Sequence, residues 1–163
     1  MSKNIIVTIL LAIIVILGVY LLVKNEAQAP IIGGVDLSGW QDVKTVIGPG
    51  QEYEIRMREL AIPAGQTFEA VLINDAIYDP LGEHPQSFAE FAPRRIGRHD
   101  FYFINLGLFE AQMSLIYYLP LPEQNKVYAF DLISRGILNW MEPTFDPEQN
   151  PGHLKLKELL SNL

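Results

Sequence analysis

The chain contains no cysteine among its 163 residues. Disulfides, thiolate nucleophiles, cysteine-based metal centres and a lipid-modified cysteine anchor are therefore excluded, and stability has to come from burial alone. Basic residues are scarce as well, 12 Lys and Arg against 19 Asp and Glu, for a formal charge of −7. An acidic surface is repelled by phosphates, so nucleic acid is not expected as a partner. There are only three histidines, and HExxH, GxSxG, SxxK, GxGxxG and the P-loop are all missing. The common signatures of metal-dependent, nucleophilic and nucleotide-binding enzymes are thus absent. No cofactor or metal is expected, and no catalytic residue can be named.

What the sequence does have is an apolar run of nineteen residues, opening at Ile5 and closing at Val23, with no charge inside it and with Lys3 and Lys24 beside its ends. As a helix it is about 28 Å long, close to the roughly 30 Å hydrocarbon core of a bilayer. A single membrane span over residues 1–26, flanks included, is the expectation. The rival is a cleaved signal peptide, suggested by Ala27-Gln28-Ala29 after the apolar segment. The run is longer than a usual signal core, and Pro30 follows the triplet directly, which disfavours cleavage there. Charge beside the span is symmetric, so orientation rests on the short leading tail remaining inside while the C-terminal part crosses. The expected location is the cell membrane, single-pass, with the C-terminal domain outside the cytoplasm. The expected partners are the bilayer, through the apolar run, and an envelope protein.

Residues 27–163 hold 10 basic and 18 acidic residues, a formal charge of −8, in a length that suits one domain with a real core. Residues 27–50 are rich in breakers, with Pro30, Gly33, Gly34, Gly39, Gly48, Pro49 and Gly50, and read as a stalk. Within it, residues 36–44 are expected to form one helical turn capped by Asp36 or Ser38, with Trp40 as a lid on the core. Residues 51–163 form the expected domain. Tyr53, Ile55 and Met57 alternate with Glu52, Glu54, Arg56 and Arg58, the pattern of a strand with one wet face. Residues 67–78, rich in β-branched and aromatic side chains, read as a second strand with a bend near Asn74 and Asp75. A short helix from Pro85 turns Phe88 and Phe91 inward and stops before Pro93. Residues 101–106, 110–119 and 126–133 read as a three-strand meander, its first turn at Gly107 and Leu108. The middle strand carries apolar side chains on both faces and so is expected to be covered on both. Last, Asn150 caps a helix with Pro151 at its first position and Leu156, Leu159, Leu160 and Leu163 along one side.

The stretch DFYFINLGLFEAQMSLIYYLPLPEQNKVYAFDLISRGI, followed by HLKLKELLSNL, resembles the last strands and closing helix of Mog1/PsbP-like domains. In layout it is also similar to small membrane-tethered proteins of unknown function in reduced-genome bacteria. The resemblance spans residues 98–163 and implies a sheet flanked by helices with an extracytoplasmic accessory role. The resulting expectation is an α+β protein: an N-terminal transmembrane helix, then a mostly antiparallel sheet of about five strands with the C-terminal helix packed on it.

Three constellations invite chemistry. Arg94, Arg95 and Arg98, with His99 beside them, form the basic cluster of an acidic domain and suit an anionic ligand or lipid headgroup, unless Glu83, Glu90 and Asp100 neutralise them. Asp146, Glu148 and Asn150 have the opening rhythm of a calcium loop, but Pro151 stands where glycine must turn and Lys157 where the bidentate glutamate must sit. His84, His99 and His153 are far apart in sequence and are expected at the surface. The function expected from all this is binding, as an accessory or scaffold domain of the envelope. The alternative is an envelope-acting hydrolase that pairs Glu83, Glu90 or Asp100 with His84 or His99.

Overall fold

The computed structural model describes residues 31–32, 35–78, 81–137, 139 and 142–163. The apolar run from Ile5 to Val23 lies outside the described residues, and among those described no helix is long and apolar enough to cross a membrane. The chain divides after Trp40 into two compact units. Of the first, the described part is a small antiparallel ribbon, β1 (Ile31–Ile32) with β2 (Val35–Asp36), followed by a turn in which the Trp40 N–H donates to the Leu37 carbonyl at 3.0 Å.

The second unit is built on a six-stranded antiparallel sheet of β3 (Val43–Gly48), β4 (Gln51–Ala61), β5 (Ala92–Ile96), β6 (His99–Phe109), β7 (Gln112–Leu121) and β8 (Lys126–Arg135). Their spatial order is β3-β4-β8-β7-β6-β5. Helix α1 (Phe68–Asp75) and helix α2 (Pro151–Ser161) complete it. The α+β class and the C-terminal helix on the sheet are as expected, but the strand inventory differs. β3 falls within the stretch read as a stalk. Its residues Val43, Thr45, Val46 and Ile47 favour extended backbone, and the breakers that suggested a linker make its hairpin instead, with Pro49 and Gly50 as the two loop residues. Gly50 has φ +71°, the conformation that the third residue of a type II turn requires after proline. Residues 36–44 accordingly end β2 and begin β3 rather than coiling into a helical turn.

Residues 67–78 are corrected from strand to helix. The Thr67 hydroxyl oxygen accepts the Ala70 N–H at 3.4 Å and Glu69 sits in the first turn, so capping and dipole both favour the helix over the β propensity of its side chains. Val71 and Leu72 are buried against Ile104, Ile116, Tyr118, Val127 and Ala129. A turn of 3-10 helix at Phe88–Glu90, capped by Ser87, brings Phe91 into the same core, with Phe88 partly buried against it. The meander is present, but its first turn lies at Glu110 and Ala111, both with positive φ as in a type I′ hairpin; Gly107 marks a bulge in β6.

Alternation along the strands sends the next set of side chains to the opposite face. There Ile55, Leu115, Tyr117, Phe130 and Leu132 are buried, as are Leu156 and Leu160 of α2, while Leu159 is only half-buried. The Asn150 side-chain oxygen caps α2 by accepting the N–H groups of Gly152 at 2.9 Å and His153 at 3.4 Å, and it accepts the Ser134 hydroxyl of β8 at 3.1 Å. A Cβ on Gly152 would lie 2.8 Å from Leu132 and 2.9 Å from Tyr53, so α2 meets the sheet at van der Waals contact only because this position carries none.

Candidate functional site

On the α1 face, β4, β7, β8 and the end of α1 bring together four groups that lie in separate elements of the sequence. Arg58 Nε and Nη2 donate to Asp131 at 2.5 and 2.8 Å, while Nη1 and Nη2 donate to Asp75 at 2.7 and 2.9 Å. The Tyr118 hydroxyl adds a third bond to Asp75 at 2.8 Å. Asp75 and Asp131 keep only 15 % and 10 % of their side-chain exposure, Arg58 38 %. Hydrogen bonding to Asp131 and then to Asp75 raises the Arg58 pKa further, so this guanidinium is permanently charged. Burial, followed by the charge of Asp75, pushes the Tyr118 phenol well above its usual value and keeps it a donor. Asp75 also sits at the negative end of α1, where no basic residue of the helix itself offsets it. Arg58 supplies that compensation from another strand. Beside the network lies an open depression of about 470 Å³, within the usual size of a small-ligand site, lined by Arg56, Ile77, Leu106, Gln112, Ile116 and Ile133 among others.

The sequence reading missed this cluster because Arg58 counted only as one residue of a wet face. A signal was present: Asp131 interrupts the apolar run Val127 to Ile133, and a carboxylate in such a strand needs a partner.

The residues singled out from sequence are distributed differently. Adjacent positions on β5 leave the strand in opposite directions, so Arg94 and Arg95 take different partners, although both reach one groove at this edge strand. Arg94 reaches Glu148 at 3.9 Å and stands 5.8 Å over the Phe103 ring; Arg95 pairs with Asp100 at 2.7 Å. Arg98 Nε donates to the Leu163 carbonyl at 3.1 Å and to His99 Nε2 at 3.2 Å, tying the β5–β6 turn to the end of α2. Arg94 and Arg95 line one groove of about 710 Å³ with Tyr117, Glu148 and Lys157, but Lys157 and Glu148 are already an ion pair there. That pairing, then the charge of Lys157, holds the Glu148 carboxyl below its usual range.

Of the carboxylates offered for hydrolysis, Glu90 accepts the Tyr78 hydroxyl at 2.6 Å and the N–H groups of Gln86 and Ser87 at 2.6 and 3.1 Å, which lower its pKa with the tyrosine bond first. Asp100 is held by Arg95. His84 Nδ1 lies 2.9 Å from the Ala76 carbonyl and His99 is half-exposed. His153 is a correction: it is 1 % exposed, because the first turn of α2 faces the sheet. Its Nδ1–H donates to the Pro147 carbonyl at 3.1 Å and its Nε2 accepts the Tyr117 hydroxyl at 2.8 Å, and burial lowers its pKa. In the sequence resembling a calcium loop, Asp146 caps a 3-10 turn and Asn150 caps α2. Among the described residues no three His, Asp or Glu side chains are grouped to hold a metal ion.

No protein-family model, curated protein or solved structure matches this chain.

Proposed function

We propose that this chain is a membrane-tethered domain, held outside the cytoplasm by a single span from Ile5 to Val23, that works by binding as an accessory or scaffold of the envelope. The observation that carries the binding part is the depression beside Arg58, Asp75 and Asp131. Arg58, Asp75 and Asp131 are tied to one another at hydrogen-bond distance, an arrangement that holds a fixed charge pattern toward a ligand and leaves no proton of theirs poised for transfer. The tether is supported by the uncharged nineteen-residue run and by Pro30 beyond the Ala-x-Ala triplet. The Mog1/PsbP-like layout belongs to the same proposal, supported by antiparallel strands that end in a helix on the sheet. Two experiments test it. The full chain is expected to stay with membranes through alkaline carbonate and to be cut by protease added from outside the cytoplasm; release of a soluble form beginning at Pro30 refutes the tether. Affinity capture of the intact chain from detergent-solubilised membranes is expected to retain an envelope protein in stoichiometric amount, and recovery of the chain alone refutes the scaffold role.

A further inference from the structure

The lining of the α1-face depression carries two guanidinium groups, Arg56 and Arg58, and two carboxylates, Asp75 and Asp131. A small ion of either sign is attracted by one pair and repelled by the other, whereas a molecule carrying separated opposite charges gains from both. The four groups are unequally engaged. Arg58 uses four of its five N–H bonds on the two aspartates. Arg56 is 46 % exposed, and its ion pair among the described residues is a single 3.5 Å contact with Glu54, so the outer fork of its guanidinium is open to a planar carboxylate. Each oxygen of Asp131 takes one N–H from Arg58 and keeps a lone pair for another donor. Arg56 and Asp131 are directly opposite in the β4–β8 register, and such partners carry their side chains on one face with Cβ atoms about 4.5–5.5 Å apart. That closeness suits an ammonium and a carboxylate borne by one carbon, and it does not suit charges at the two ends of a long chain. Next to the pair, Ile77, Leu106, Ile116 and Ile133 form an apolar wall, of which Ile77 is 48 % exposed.

We propose, building on the binding role above, that the depression takes an α-amino-acid zwitterion with an apolar side chain: its carboxylate on Arg56, its ammonium on Asp131, and its side chain on the isoleucine wall. The test uses the purified full chain in mild detergent, titrated calorimetrically and followed by thermal unfolding with leucine, leucinamide and N-acetylleucine. Leucine is expected to raise Tm and to bind at least tenfold more tightly than leucinamide, which lacks the carboxylate, and than N-acetylleucine, which lacks the ammonium. Arg56→Gln, at an exposed side chain whose loss does not disturb the core, is expected to bring leucine down to the affinity of leucinamide while leaving the ligand-free Tm in place. Equal binding of the three compounds, or leucine binding unmoved by Arg56→Gln, overturns the zwitterion yet leaves the depression a binding site. Absence of binding by all three overturns the proposal as well, and the binding role then stands or falls on the affinity capture.

Discussion

The two faces of the sheet handle their buried polar groups in opposite ways. The α1 face uses charge: one guanidinium held between two carboxylates with a tyrosine hydroxyl behind, left partly open to water. The α2 face uses neutral groups in a chain, Tyr117 to His153 to the Pro147 carbonyl and Ser134 to Asn150, closed over by helix. Neutral hydrogen bonds survive complete desolvation at modest cost, whereas ions lose several kcal/mol each when hydration is stripped away. The charged network therefore stands beside an open depression, whereas the neutral groups His153, Asn150 and Ser134 lie buried beneath α2. Among the described residues no buried side-chain nitrogen or oxygen lacks a partner, so both solutions are complete.

The comparison breaks most severely where α2 is removed from the sheet. Leu156→Ala combined with Leu160→Ala truncates two fully buried side chains. At about 2–5 kcal/mol each, the pair is expected to consume most of a typical domain's stability, read as loss of cooperative unfolding in denaturant. A melting curve like that of the unaltered chain would show that α2 does not hold this face. On the other face Arg58→Ala strands two nearly buried carboxylates. The loss is expected at about 2–3 kcal/mol, below the 3–5 of a fully buried pair because Arg58 itself is 38 % exposed to water. Arg58→Lys should recover only part of it, since an ammonium cannot reproduce four fork contacts.

Acid separates the faces more finely. Burial lowers the His153 pKa in the folded protein below the roughly 6.5 of the unfolded chain, so the stability it contributes is complete above that pH and falls below it. Between pH 7 and 5.5 the unfolding free energy from denaturant titration is expected to drop with a slope no steeper than about 1.4 kcal/mol per pH unit, the limit for one proton, and His153→Asn should flatten the slope. An unchanged slope in that variant would place the acid sensitivity elsewhere. Glu59 and Glu148, whose pKa values are lowered chiefly by hydrogen bonds to Lys126 and Lys157, add a loss only at lower pH, as the solution approaches and passes the carboxylate range. The smallest effect is expected at Arg95→Ala. Its partner Asp100 is 76 % exposed, and the change should cost under about 0.5 kcal/mol.

The local signals were strong where one element decided its own form. The alternation of β4, the two-sided apolar character of β7 and the Asn150-Pro151 start of α2 were all readable, because capping and period-two patterning act over a few residues. The misreadings share a cause. Residues 67–78 have side chains that suit a strand, yet the Thr67 cap and the burial of Val71 and Leu72 against the sheet select helix. Pro49 and Gly50 serve equally well in a linker and in a hairpin, and only pairing of β3 with β4 makes them the latter.

From the sequence alone followed an acidic, cysteine-free α+β domain behind a span-length apolar run, with a capped helix closing its C-terminal end. Tertiary structure decided which polar side chains meet. Arg58 and Asp131 are 73 residues apart and Arg58 and Asp75 are 17 apart, and they converge because β4 and β8 are neighbours in the sheet and α1 lies across their face. Local patterning specifies the direction in which each side chain leaves the backbone. Ionic partnership depends on strand order, and no window of a few residues contains that.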